Sequence, residues 1–227
     1  MTPPALRDPA PGGRDERVVR RAAILVLAGC VVLAASTFLV REPLYRTVAG
    51  AVTASPLAPL VELTAEAGLL VLVATAAGVA VRSWLRARRS FWVLVAGGVG
   101  VVAAYLTSEV VKLLVAEQRP CHVIDVATVL PCPPVGDWSW PSNHATLAAA
   151  FAVACLLAAP RTTPYVAALA VVVAGSRVAA GVHYVHDVLS GLVLGATAVV
   201  LAVVLLRPVV RRLPRSLTQE PAAHRSY

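Results

Sequence analysis

The chain has 227 residues, of which 58% are hydrophobic and 14% charged, and its mean hydropathy is +0.76. A chain this apolar has too few polar residues to cover a water-soluble domain, so we expect a membrane protein. The formal net charge of +8 does not indicate nucleic-acid binding, because the basic residues of membrane proteins collect in cytoplasmic loops. No nucleic-acid partner is expected.

Six apolar segments meet or approach the roughly 20 residues that a helix needs to cross a bilayer core of about 30 Å. The first is interpreted as a retained anchor, since its apolar run is longer than that of a signal peptide and no clear cleavage motif follows. The fourth and fifth are short. The expected fold class is all-α, a polytopic membrane protein with a six-transmembrane-helix bundle. Its segments are 22–40, 61–81, 91–115, 144–159, 164–180 and 185–206.

Basic residues predict the orientation of this bundle. Fifteen of the 20 lie in the two tails and in the loops after the second and fourth segments, which the positive-inside rule assigns to the cytoplasm. The tails are rich in proline, arginine and small polar residues and are expected to be disordered. The domain division is therefore a cytoplasmic tail at 1–21, a six-helix membrane domain at 22–207 and a second cytoplasmic tail at 208–227.

Two of the four cysteines, Cys121 and Cys132, share the loop at about 117–143, which is expected outside the cytoplasm. A disulfide can persist there, but spacing alone does not establish the geometry that a bridge needs. Their pairing is left open. Cys30 and Cys155 lie inside apolar segments and are interpreted as small core residues.

Three polar clusters, far apart along the chain, lie at the outer ends of the predicted spans. They read KLLVAEQRP from Lys112, PSNH from Pro141 and SRVAAGVHYVHD from Ser176. Lys112, the chain's only lysine, could form a pocket for a dianion such as phosphate together with Arg119 and Arg177, because arginine offers bidentate contacts and lysine a point charge. Taken alone, Lys112 is better explained by a side chain that snorkels to the lipid headgroups.

The other two clusters suggest a reaction at this pocket. Ser142 lies where a helix begins, and the free backbone N–H groups of a first turn bind phosphate; an ordinary N-cap serine is the alternative. On a helix the Asp187 carboxylate could accept a hydrogen bond from His183 and leave the other ring nitrogen free as a nucleophile. A contact on the helix surface is the alternative for that pair. His186 is interpreted as a polar residue at the interface or behind the site, and no metal ligand set is evident.

Together the clusters resemble the phosphatidic-acid phosphatase type 2 superfamily, membrane phosphatases related to vanadium haloperoxidases. The pattern of that superfamily is K-x6-R-P, then P-S-G-H, then S-R-x5-H-x3-D. Asn143 departs from it, since the family usually has glycine there. Asparagine tolerates left-handed backbone and adds an amide donor, so Asn143 is kept among the expected phosphate-binding residues, in a narrower pocket. The matching residues are Lys112, Arg119, Pro120, Pro141, Ser142, His144, Ser176, Arg177, His183 and Asp187.

The resemblance implies a phosphatase that needs neither metal nor cofactor. His183, oriented by Asp187, would attack phosphorus to form a phosphohistidine, and His144 would protonate the leaving oxygen and then activate water. The substrate would be a lipid phosphate or diphosphate, of the polyprenyl diphosphate or phosphatidic acid type, bound at the extracytoplasmic face of the cell membrane. The phosphoryl oxygens would be held by Lys112, Arg119, Ser142, Asn143 and Arg177.

A transporter or flippase is the alternative from another class of function. It could gather a lipid phosphate with the same cations without cleaving it, but it would not need a His–Asp pair beside a second histidine. The oligomeric state is not indicated by the sequence.

Overall fold

The structure of the chain is a computed structural model that describes residues 12–218. Within that range the regular structure is helical and contains no strand, which confirms the all-α class. A short 3₁₀ turn, Pro160–Thr162, connects two of the helices. The helices are α1 (Gly12–Leu39), α2 (Arg41–Thr53), α3 (Ala58–Arg86), α4 (Arg88–Val115), α5 (Pro120–Val123), α6 (Asn143–Ala158), α7 (Thr163–Ala179), α8 (Val185–Arg212) and α9 (Arg215–Thr218).

Several of these helices are long and apolar enough to cross a membrane. In the described residues, four stretches qualify, and a fifth does if Ile24–Leu39 and Arg41–Thr53, which meet at 90°, are counted as one broken span. Helix α6 has only 16 residues, about 24 Å at 1.5 Å per residue, which is less than a bilayer core of about 30 Å. The chain is thus a multi-pass membrane protein with four or five spans by length. Each of the six predicted segments does coincide with a helix.

Two features of the ends and connections were not predicted. Helix α2 replaces an expected outer loop, and its buried Tyr45 donates a hydrogen bond to the Gly181 carbonyl oxygen at 2.9 Å. Helix α1 begins at Gly12 and α8 continues to Arg212, so both predicted tails include helix. The rest of the tail predictions, at 1–11 and 219–227, lies outside the described residues.

Helix α6 packs against α3, α4, α7 and α8, and it can do so because its buried face is mostly alanine. Two glycines of α8 allow the backbones of α6 and α8 to approach each other closely. A Cβ added at Gly191 would lie 2.6 Å from the Ser142 carbonyl oxygen, and one at Gly195 would overlap the Thr146 carbonyl oxygen. This contact holds the start of α6 against the start of α8, where two of the three polar clusters lie.

The loop between α4 and α6 is closed by a disulfide. Cys121 and Cys132, whose pairing the sequence left open, are bonded, with their Cα atoms 5.8 Å apart. Cys30 and Cys155 are free, as their positions inside helices suggested. The bridge ties α5 to the segment that leads to Ser142.

Candidate active site

Three cations from different parts of the chain are buried together at one end of the bundle. Lys112, Arg119 and Arg177 are only 5%, 4% and 8% exposed. Arg119 donates to the Asp137 carbonyl oxygen through Nε, to Asp137 Oδ1 through Nη2 and to the Val182 carbonyl oxygen through Nη1. Burial of Lys112 does not fit the snorkelling alternative. Three buried positive charges instead require an anion.

Two buried polar atoms, Nε of Arg177 and Oγ of Ser142, have no hydrogen-bond partner in the described part of the chain. Arg177 donates through Nη1 to the Ala65 carbonyl oxygen at 3.2 Å, yet its Nε has no hydrogen-bond partner among the described residues. Ser142 Oγ is also buried without one, and it makes no capping hydrogen bond at the start of α6. Ser142 is thus the N-cap residue of α6 by position, but its hydroxyl does not cap the helix. Buried donors of this kind cost free energy unless a ligand or water satisfies them.

His183 lies in the turn just before α8, not on a helix, and is 1% exposed. Its Nε2 is 2.9 Å from Arg119 Nη1, and its Nδ1 is 3.3 Å from Asp187 Oδ2. A guanidinium can only donate, so Nε2 must carry the lone pair and Nδ1 the proton. Burial first, and then the charges of Arg119 and Arg177, hold the pKa of His183 well below its ordinary value. The imidazole is therefore neutral and presents Nε2 toward the cations.

Asp187 is fully buried and orients this imidazole with help from a residue that was not predicted. Its Oδ2 accepts hydrogen bonds from the Ser139 hydroxyl and from the Tyr184 backbone N–H. Ser139 is itself 0% exposed, and its Oγ lies 3.3 Å from His183 Nδ1. The surface-contact alternative for the His183–Asp187 pair is thus wrong. No spacing rule marks Ser139; the only signal was its place between two tryptophans just before the PSNH cluster.

His144 and Ser142 reach the same place from the start of α6. The Ser142 backbone N–H donates to the Asp187 carbonyl oxygen at 3.1 Å, which fixes the helix start against α8. His144 is partly buried and lies close enough to His183, Arg177 and Arg119 for their charges to interact. The structure therefore brings the predicted histidines and cations together at one end of the bundle.

Asn143 is the predicted residue whose side chain does not join this group. Its Oδ1 accepts a hydrogen bond from the Ser108 hydroxyl at 2.6 Å, and its Nδ2 donates to Glu109 Oε1. The contacts of both amide atoms are thus with α4 and not with the cations. That Asn143 takes part in phosphate binding stays a prediction, and its backbone N–H, in the first turn of α6, is a second donor it could offer.

A second polar group adjoins Asp187 on its other side. His186 Nε2 lies 3.1 Å from Asp187 Oδ1 and 3.2 Å from Glu117 Oε1, and Arg41 pairs with Glu117 at 3.3 Å. His186 is only 3% exposed, so it lies behind the site and not at an interface. The ligand-type atoms of Glu117, His186 and Asp187 all lie within 4.8 Å of one another and could hold a metal ion. The contacts of His186 with both carboxylates also account for their closeness, and the expectation of no metal stays a prediction.

A family model, several known proteins and a solved structure are similar to this chain. The family model described as the PAP2 superfamily matches residues 93–211, just over half of the chain and the part that carries all three clusters. The chain belongs to the PAP2 superfamily, as the resemblance of its motifs predicted.

Individual relatives match over a shorter length. An undecaprenyl-diphosphatase from Sulfolobus acidocaldarius is 35% identical over 43% of this chain and 48% of its own. A decaprenylphosphoryl-5-phosphoribose phosphatase from Mycolicibacterium smegmatis is 40% identical over 46% of this chain and 54% of its own. The chain thus spans about half the length of these relatives.

A solved structure has the same fold. The transmembrane PAP2 type phosphatidylglycerolphosphate phosphatase from Bacillus subtilis superimposes with a TM-score of 0.58 and 22% identity, over 84% of this chain and 98% of that one. At this identity the likeness concerns the fold alone.

Proposed function

We propose that the chain is an integral membrane lipid phosphatase that acts through a phosphohistidine intermediate. One observation carries this proposal. A neutral, oriented His183 lies 2.9 Å from a buried guanidinium, in a cluster where Arg177 Nε and Ser142 Oγ are buried without partners in the described chain. A phosphoryl group would supply the acceptors that these two atoms lack, and further negative charge beside the three cations.

The first chemical step is attack by His183 Nε2 on phosphorus. The N–P bond forms while the bond from phosphorus to the leaving oxygen breaks, and His144 gives its proton to that oxygen. The leaving oxygen belongs to the lipid alcohol of a monophosphate or to the lipid monophosphate released from a diphosphate. Asp187 stabilises the positive charge that develops on the imidazole, because Nδ1–H already faces its carboxylate. Arg119 exchanges its contact with Nε2 for one with a phosphoryl oxygen, which frees the lone pair.

The second step regenerates the enzyme. His144, now neutral, takes a proton from a water molecule whose oxygen attacks phosphorus, and the N–P bond breaks to release phosphate. Lys112, Arg119 and Arg177 neutralise the phosphoryl oxygens in both steps, and the Ser142 hydroxyl and the backbone N–H groups of the α6 start add hydrogen bonds. No step requires a metal, so we propose that the activity is metal-independent.

A lipid substrate is supported by a cavity next to this cluster. It has a volume of about 730 Å³ and opens between α1 and α8. Apolar side chains of the two helices, Val31, Phe38, Val193 and Leu194 among them, line most of it, and Glu117 and His186 are among its polar lining residues. His186 contacts Asp187, so a lipid tail in this cavity would lie beside the cluster. We favour a polyprenyl diphosphate or a lipid of the phosphatidic acid type.

The proposed topology has six spans, formed by α1, α3, α4, α6, α7 and α8. Both termini would be cytoplasmic and the active site extracytoplasmic in the cell membrane, as the arginine distribution suggests. The membrane domain would occupy 22–207 between two tails. Labelling of single cysteines introduced at Arg161 and Asp125 in intact cells tests this orientation. Only the cysteine at Asp125 should react with an impermeant reagent.

The activity is tested by phosphate release from purified protein in detergent. The substrates are undecaprenyl diphosphate, phosphatidic acid and phosphatidylglycerol phosphate, each assayed with and without a chelator. We expect release by the wild type and none by His183→Ala, with His224→Ala, a tail histidine, as the matched control. Release by His183→Ala at the wild-type rate would exclude His183 as the nucleophile. Binding of lipid phosphates without release by the wild type would favour a transporter.

A further inference from the structure

The phosphate-binding cations already hold an internal anion. Asp137 Oδ1 lies 2.9 Å from Arg119 Nη2 and 3.6 Å from Lys112 Nζ. Within residues 12–218 it is the carboxylate that forms ion pairs with these two cations. Its own side chain is 47% exposed, whereas theirs are 4% and 7% exposed. Asp137 therefore covers the cations from the solvent side of the cluster.

This carboxylate uses the hydrogen-bonding capacity that a phosphate would need. With Asp137 in place, Arg119 directs Nη2 to the carboxylate, Nε to the Asp137 carbonyl oxygen and Nη1 to Val182 and His183. No N–H face of Arg119 is left for a bidentate contact with a phosphoryl group. Substrate and Asp137 must therefore compete for the same donors.

The carboxylate is ionised when it competes. Partial burial alone would raise the pKa of Asp137, but the hydrogen bond and charge of Arg119 and the charge of Lys112 outweigh burial, so this pKa lies below its ordinary value. The geometry of the ion pairs requires the same charge state, because both partners are cations. A full negative charge thus occupies the cation pair at neutral pH.

The loop allows this side chain to leave without unfolding. Asp137 follows Gly136, whose φ of +96° belongs to the left-handed region that glycine favours, and its backbone N–H is held by the Pro134 carbonyl oxygen at 3.1 Å. Two residues on, the Ser139 N–H donates to the Glu117 carbonyl oxygen at 2.8 Å. The backbone is therefore anchored on both sides. Rotation of the exposed side chain would free Arg119 Nη2 and Lys112 Nζ, while the Asp137 carbonyl oxygen keeps its contact with Arg119 Nε.

We propose that Asp137 is a specificity-determining residue that selects doubly charged phosphate groups by competing for Lys112 and Arg119. A phosphodiester headgroup carries one negative charge, as Asp137 does, and gains little by displacing it. A phosphomonoester or diphosphate end carries about 1.5 to 2 negative charges at neutral pH and displaces it readily. The abundant phosphodiester lipids of a bilayer would thus be kept out of the site.

This inference rests on the proposed phosphatase function, and Asp137→Asn tests it. The amide keeps the size of the side chain and removes its charge. We measure inhibition of phosphate release by inorganic phosphate and by phosphatidylglycerol in mixed detergent micelles. Inorganic phosphate should inhibit the variant at about tenfold lower concentration than the wild type. Phosphatidylglycerol should become a competitive inhibitor of the variant and remain a poor one of the wild type.

Asp125→Asn is the matched control, because Asp125 is an exposed carboxylate in the same loop and its replacement removes the same charge. It should leave both inhibition constants unchanged. If Asp137→Asn folds poorly, Asp137→Ser replaces it. The serine also removes the carboxylate, with a smaller side chain, and the same changes in both inhibition constants are expected. Monodisperse elution and an intact Cys121–Cys132 bridge establish that the variants are folded.

Two results would overturn the inference. If Asp137 only orients Arg119, the variants will bind phosphate more weakly, lose kcat and discriminate against phosphatidylglycerol as before. Unchanged constants for both inhibitors would equally exclude competition. In either case, wild-type release of phosphate from lipid phosphates leaves the proposed function standing. A wild type that neither releases phosphate nor binds it in calorimetry would instead remove the proposed function itself.

Discussion

Asp187→Asn is the substitution that tests the proposed nucleophile most directly. Asp187 Oδ2 accepts from the Ser139 hydroxyl, from the Tyr184 N–H at 2.9 Å and from His183 Nδ1 at 3.3 Å. An asparagine can keep these contacts only if its oxygen takes the Oδ2 position, and it then lacks the charge that stabilises the imidazolium formed on attack. If the amide nitrogen takes that position, Nδ1 must give up its proton to Nε2, which would set an N–H against the Arg119 donor.

Either arrangement is costly for the reaction. An asparagine in place of an orienting aspartate lowers kcat by about 10⁴ in an unrelated histidine-dependent site, and each tenfold corresponds to roughly 1.4 kcal/mol of barrier. We expect kcat to fall by on the order of 10³ to 10⁴ for Asp187→Asn. KM should change little, because the phosphate-binding cations are untouched.

The assay is phosphate release under saturating lipid, combined with trapping of labelled phosphohistidine by a quench in alkaline SDS, because the N–P bond hydrolyses in acid. Trapped label should appear in the wild type and in Asp125→Asn, and it should be absent from His183→Ala. If Asp187→Asn retained kcat within about tenfold of the wild type, Asp187 would not orient the nucleophile and the reasoning above would be wrong.

Four further outcomes are expected. Arg177→Met should raise KM and weaken inhibition by inorganic phosphate by about 10-fold or more, with partial recovery in Arg177→Lys, because charge without the planar fork restores only part of the contact. Gly195→Ala should destabilise the protein by about 1–3 kcal/mol and so lower its thermal unfolding midpoint in detergent, because the added Cβ would overlap the Thr146 carbonyl oxygen. Gly175→Ala should leave the midpoint unchanged, since nothing lies within 4 Å of the added Cβ. Because the pKa of His183 lies well below its ordinary 6.5, kcat/KM should begin to fall with protonation of this residue only well below pH 6.5. The neutral His183 side chain also stabilises the fold above the unfolded pKa, and this stabilisation should be lost as the pH falls below about 6.5. Prolonged dialysis against a chelator should leave activity intact; a loss that added zinc or manganese restores would assign a metal to Glu117, His186 and Asp187.

Motif spacing identified the site better than residue-by-residue interpretation did. Considered one at a time, Lys112, Ser142 and the His183–Asp187 pair each had an ordinary structural explanation. Burial separates these alternatives, because a snorkelling lysine, a capping serine and a surface ion pair are exposed or satisfied locally, whereas these residues are buried at one place. Exposure depends on contacts between distant segments, and no local pattern reports it.

Asn143, Ser139 and Asp137 illustrate what spacing could not supply. The Asn143 amide was expected in the pocket, but Ser108 and Glu109 of α4 occupy it. Ser139 and Asp137 lie in an irregular loop whose sequence has no period from which a contact could be inferred. Their roles arise because the Cys121–Cys132 bridge and contacts of the backbone bring the loop back over the cations.

The sequence by itself determined that this is a helical membrane protein, which family it belongs to and where its three polar clusters lie, since apolar run length and motif spacing are local properties of the chain. The tertiary structure decided which atoms meet. Packing between segments far apart in sequence brings α6 close to α8 at Gly191 and Gly195. The same kind of packing positions the turn that carries His183 and the loop that places Asp137 against Lys112 and Arg119. Hydrogen bonds reach only about 3 Å, so small shifts of whole helices make or break them.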